Sequence, residues 1–152
     1  MNRRTKVTLV VVILILIVFF IYNILRPKEG IYERPLPAKV VEQYFKSWNE
    51  KDYVNMYAAI SDGFKRIEPS ANTLERFKEY ASSQNINGVN IILIKEKSND
   101  EVTAQVDYSV EFILENGIKQ KFDGIFTLKY RNADIIQGWK LIHPYGEKID
   151  ES

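Results

Sequence analysis

The chain has 152 residues, a one-domain length, with 21 Lys plus Arg against 20 Asp plus Glu and no cysteine. Setting aside Arg3, Arg4 and Lys6 leaves 18 basic against 20 acidic residues, so the bulk of the chain has no electrostatic footprint for DNA or RNA. The missing cysteine excludes disulfides, thiolate nucleophiles, cysteine metal sites and a lipid-bearing cysteine. It points to a bacterial or archaeal envelope protein, or to a domain facing the cytosol.

Residues 1–6 form a basic tail. Residues 7–25, VTLVVVILILIVFFIYNIL, carry no charge over 19 positions. At 1.5 Å per residue this run is roughly 28 Å long as a helix, which matches the hydrocarbon thickness of a bilayer. It has no polar face at any helical phase, so it does not read as a core helix. It is longer than a signal-peptide apolar region and no small-x-small cleavage site follows, so the expectation is an uncleaved signal anchor. The basic tail places the N-terminus in the cytoplasm and the rest of the chain outside, as a single-pass membrane protein.

Residues 26–37, RPKEGIYERPLP, contain three prolines and read as a short, stiff stalk. An apolar helical face follows over residues 38–50, made of Val40, Val41, Tyr44, Phe45 and Trp48. Asp52 is placed to cap a second short helix bearing Tyr53, Met56, Tyr57 and Ile60, which Ser61, Asp62 and Gly63 are expected to end. Ser70, Asn72 or Thr73 caps a third helix bearing Leu74, Phe77, Tyr80 and Ala81.

The period changes to two after Asn87. Residues 89–95 are rich in β-branched side chains. Over residues 102–114, Val102, Ala104, Val106, Tyr108, Val110, Phe112 and Leu114 share one face of a half-buried strand. Asn116-Gly117 marks a hairpin turn. The return strand over residues 118–130 puts Phe122, Phe126, Leu128 and Tyr130 on one side, and Gly124 in it suggests a bulge or bend. A last strand is expected over residues 135–145. Short turns require antiparallel neighbours. The expectation is an α+β domain over residues 38–147, three helices packed on a curved four-stranded antiparallel sheet, with a tail at 148–152.

This layout resembles the nuclear-transport-factor-2-like superfamily, a cone-shaped α+β fold, and within it the N-terminal extracytoplasmic domain of methicillin-resistance-type penicillin-binding proteins. The residues that carry the resemblance are 38–61, AKVVEQYFKSWNEKDYVNMYAAIS, then TLERFKEY at 73–80 and GWKLIHP at 138–144. In such proteins this domain precedes a serine transpeptidase module. Neither Ser-x-x-Lys nor Lys-Thr-Gly occurs in these 152 residues, which excludes transpeptidation by them. The resemblance implies an accessory domain on its own anchor.

Enzymes of the superfamily use Asp, His or Tyr inside the cone, which draws attention to Asp107, Tyr108 and His143. Adjacent strand residues point apart, so Asp107 and Tyr108 do not both face inward without a bulge. His143 is the single histidine and has no ligand cluster around it, so no metal and no cofactor are expected. Aromatics are plentiful, and Tyr44, Trp48, Tyr57, Tyr108, Trp139 and His143 form the candidate pocket lining. Lys119, Lys121, Lys129 and Arg131 alternate on the outer face with Ile113 and Ile125, opposite Glu111 and Glu115.

The functional expectation is a non-catalytic binding or scaffold module of the bacterial cell envelope. It is held in the membrane by residues 7–25, with an envelope protein partner or self-association and no nucleic acid. The alternatives are a single-span subunit of a secretion or conjugation channel, and a small-ligand-binding or isomerase-like enzyme.

Overall fold

The computed structural model describes residues 34–144. The basic tail, the apolar run at 7–25, most of the stalk and the tail at 148–152 lie outside the described residues. Among the described residues no helix is long and apolar enough to cross a membrane.

Helix α1 (Pro37–Asn49) opens on a proline in its first turn, where the missing N–H costs nothing. It buries Val41 and Phe45 and sets Tyr44 and Trp48 against the same core. Lys51, at φ 58°, turns the chain, and Asp52 caps α2 (Tyr53–Ala59) by accepting from the Asn55 N–H at 3.1 Å. Ser61, Asp62 and Gly63 do not simply end that helix. The Ser61 hydroxyl accepts from the Phe64 N–H at 3.0 Å and starts another, α3 (Asp62–Ile67). A 3₁₀ turn (Pro69–Ala71) follows, and Thr73 caps α4 (Leu74–Ser83) through the Arg76 N–H at 3.2 Å. The three expected helices are therefore four helices and a 3₁₀ turn.

Four strands, β1 (Ile86–Asn99), β2 (Thr103–Leu114), β3 (Lys119–Arg131) and β4 (Gly138–Leu141), form one antiparallel meander in sequence order. The β2–β3 turn has one left-handed residue, Gly117 at φ 81°, and the Asn116 side chain accepts from the Ile118 N–H at 3.0 Å. Leu114 accepts from Gly117 and donates to Ile118, both at 2.8 Å, a three-residue loop closed by a glycine.

Gly124 marks no bulge, because the β2–β3 register runs unbroken from Thr103 opposite Lys129 to Ile113 opposite Lys119. The irregularities lie in edge strand β1, between Ile86 and Gly88, Ile91 and Leu93, and Glu96 and Ser98. Each adds a residue that bends the strand and increases its twist, which curves the sheet. Beside the first of them, the Asn49 side chain of α1 accepts from the Val89 N–H at 2.9 Å.

Strand β4 is shorter than residues 135–145. Asp134 and Ile135 are tied instead to Asp62: the Asp62 N–H donates to the Asp134 carboxylate at 3.0 Å, and the Ile135 N–H donates to the Asp62 carboxylate at 2.9 Å. The helices pack on the sheet face that carries Ala104, Val106, Val110 and Leu128, all fully buried along with Val41 and Met56. Val102, expected on that face, sits just before β2 and is exposed.

Candidate functional site

A pocket of about 430 Å³ opens between α1, the α3–α4 segment and the sheet. This is within the size range of small-molecule sites. Helical spacing brings Tyr44 and Trp48 to it from one face of α1, and Phe77 and Tyr80 from α4. Strand alternation brings Tyr108 from β2 and Phe126 from β3.

The rings are interlocked. Tyr108 stacks on Phe126, centroids 4.6 Å apart and planes at 25°, while Tyr44 meets Phe126 edge-on at 5.9 Å and Trp48 at 6.0 Å. Such geometries add to the burial energy of aromatic pairs. Tyr108 lies across the strand from Gly124. A methyl group at Gly124 would come within 2.6 Å of the Tyr108 hydroxyl oxygen and 2.7 Å of Cζ. Gly124 is thus a seat for a ring rather than a bend.

Burial pushes the Tyr44 phenol well above its ordinary pKa of 10, and the nearby Tyr80 and Tyr108 phenols push the same way. Burial also raises Tyr108. These hydroxyls stay neutral at physiological pH. Among the described residues, Glu68 is the one carboxylate that lines the pocket. It accepts from the Ser70 hydroxyl at 2.8 Å and the Ser70 N–H at 3.2 Å, with His143 Nε2 at 3.6 Å. The two Ser70 bonds hold Glu68 below its usual range against a smaller opposing effect of burial, and His143 adds a lesser pull in the same direction as Ser70.

The structure places Tyr44, Trp48 and Tyr108 on the pocket wall and the other three expected residues elsewhere. Tyr57 packs on Phe77 at 5.5 Å, and Lys65 Nζ sits 4.6 Å from its ring centroid. Trp139 is buried edge-on to Tyr130 at 5.6 Å. His143 stands behind Glu68, 4.9 Å from the Phe64 ring. Asp107 is not on the wall; it pairs with Lys95 and Ile125 in the sheet while Tyr108 points inward.

Sequence reasoning missed Phe64, Glu68, Ser70, Phe77 and Tyr80 as lining residues. The i, i+3 spacing of Phe77 and Tyr80 was a usable signal, whereas Glu68 had none. On the outer face Lys119 pairs with Glu111 at 3.1 Å and Lys121 with Asp123 at 3.4 Å. Among the described residues no group of three or more His, Asp or Glu is placed to hold a metal ion.

Residues 36–144 match the family model of the NTF2-like N-terminal transpeptidase domain. No curated protein matches the chain. Among solved structures it is similar to a ketosteroid isomerase-like protein from Erwinia carotovora atroseptica, at 14% identity over 73% of this chain and 92% of that one, with a TM-score of 0.48. It is similar to a Δ5-3-ketosteroid isomerase from Mycobacterium sp., at 14% identity over 69% and 91%, with a TM-score of 0.46. A SEC-C motif-containing protein from Psychrobacter arcticus is similar at 14% identity over 77% of this chain, with a TM-score of 0.46; the chain spans 66% of that protein's length, just under two thirds.

Proposed function

This chain belongs to the NTF2-like N-terminal transpeptidase domain family, and on that premise we propose that it is a membrane-anchored, non-catalytic binding module of the bacterial cell envelope. Residues 7–25 tether it, and the domain stands on the extracytoplasmic side. Its pocket takes an apolar or aromatic group of an envelope partner.

The observation that carries this reading is the chemistry of the pocket wall. Proton transfer at neutral pH calls for groups poised near pH 7. The phenols of Tyr44 and Tyr108 are pushed upward and Glu68 is held downward, so they are moved away from that value in opposite directions. Aromatic faces with a few neutral hydroxyls suit binding and orientation of an apolar group.

Photo-cross-linking in growing cells tests the reading. A benzoylphenylalanine in place of Tyr80, at the exposed edge of the pocket, is expected to capture a cell-wall synthesis protein. Capture only of a second copy of this chain would favour the channel-subunit reading. Turnover of a small ligand that is lost on Tyr108→Phe would favour the enzyme.

A further inference from the structure

Four exposed aliphatic residues lie on the segments at the end of the domain where the chain enters it. The Arg34 guanidinium lies over the Tyr130 ring, 4.3 Å from its centroid, and Pro35 shares a surface hollow with Gln137 and Gly138. The Tyr130 N–H donates to the Val102 carbonyl at 2.8 Å. The entry segment, the β1–β2 turn and the β3–β4 loop therefore meet at one end. They carry Leu36, Val102, Ile135 and Ile136, which are 61, 62, 93 and 55% exposed.

The β3–β4 loop is held firmly. Asp134 is buried and accepts from the Asp62 N–H at 3.0 Å and Arg131 Nε at 3.2 Å, and Asp62 accepts from the Ile135 N–H at 2.9 Å. This strapping fixes the Ile135 backbone while its side chain points into solvent. Apolar groups pre-set in this way lose little freedom on docking.

The tether decides what they meet. Residues 26–33 separate the end of the apolar run from Arg34, a span of at most about 30 Å even fully extended. If residues 7–25 span the bilayer, so short a tether keeps this end within reach of the membrane surface at high effective concentration.

We propose that the entry end of the domain docks on the bilayer itself, with Ile135 and Ile136 entering the boundary between headgroups and acyl chains, flanked by Leu36 and Val102. The proposal rests on the anchored reading of residues 7–25. It gives the pocket a fixed orientation relative to the membrane.

The chain has no cysteine, so single cysteines carry a polarity-sensitive fluorophore without background. The full chain is reconstituted in phosphatidylcholine–phosphatidylglycerol vesicles, with and without doxyl-labelled lipid, as Ile135→Cys, Ile136→Cys, Ile118→Cys and Leu16→Cys. Ile118, 53% exposed beside the β2–β3 turn, is at the opposite end of the strands. Labels at 135 and 136 are expected to shift to the blue and be quenched by doxyl lipid, with the label at 118 unaffected. A water-like spectrum at 135 and 136, with the label at 16 quenched, overturns docking and leaves the anchor standing. A blue shift without lipid quenching also overturns it and assigns the surface to a protein partner. An unquenched label at 16 removes the anchor and the proposal together.

Discussion

Replacing Gly124 with alanine isolates the contact that shapes the pocket. The new methyl would sit 2.6, 2.7 and 3.0 Å from Oη, Cζ and Cε1 of Tyr108, so the ring must move. It is not free to do so, being stacked on Phe126 at 4.6 Å and packed on Phe45 at 5.2 Å. Overpacking of this kind costs about 1–3 kcal/mol. Removing a glycine from a strand returns about 0.5–1 kcal/mol, leaving a net loss of up to about 2.5 kcal/mol. In a Tyr108→Ala background the clash is gone, and the same substitution is expected to be neutral or to stabilise by about 0.5 kcal/mol. Urea unfolding of the four proteins of this cycle in detergent, followed by tryptophan fluorescence, measures the coupling. An equal loss from Gly124→Ala with and without the Tyr108 ring would refute the seat.

Asp134→Ala orphans the Asp62 N–H and takes one partner from the Arg131 guanidinium, and is expected to cost about 1–3 kcal/mol while hydrogen exchange at Ile135 accelerates. Ser61→Ala removes the cap of α3 and is expected to cost about 1 kcal/mol, read as a lower urea midpoint. The Glu68 carboxyl, followed by carbon NMR, is expected to titrate below its usual value of about 4.3, and Ser70→Ala to move it upward. Because its folded pKa is depressed, the stability it contributes is fully present above the unfolded pKa and is lost as pH falls through the folded value. Glu42, hydrogen-bonded by Lys39 and Lys46, is expected to titrate at about 2, and high salt to move it toward its ordinary value.

Much of the architecture is local and therefore legible. The two-residue alternation through β2 names the inward face that Ala104, Val106, Tyr108 and Val110 occupy, and Asp52 and Thr73 announce their helices by side-chain chemistry. What was illegible depends on distant partners. Helix α3 looks like a breaker because Ser61-Asp62-Gly63 has turn composition; Asp62 also meets Asp134, 72 residues away. That same bond pulls the start of the last strand off the sheet.

The extra residues of β1 have no compositional mark, so the source of the sheet's curvature could not be read. The aromatic wealth of the pocket was plain. Its division between wall (Tyr44, Trp48, Tyr108) and core (Tyr57, Trp139) is set by packing among helices, which periodicity does not encode. Glu68 is a surface glutamate in sequence and becomes part of the site only when the fold sets it on the pocket wall beside Ser70.

Cysteine accessibility in intact cells tests most directly whether a folded domain is tethered outside the membrane. After alkaline carbonate washing, the chain is expected in the membrane fraction. A membrane-impermeant maleimide is expected to label Ile118→Cys in intact spheroplasts and to reach Asn2→Cys only after lysis. Release of the chain by carbonate, or labelling of Asn2→Cys with Ile118→Cys protected, would contradict the account.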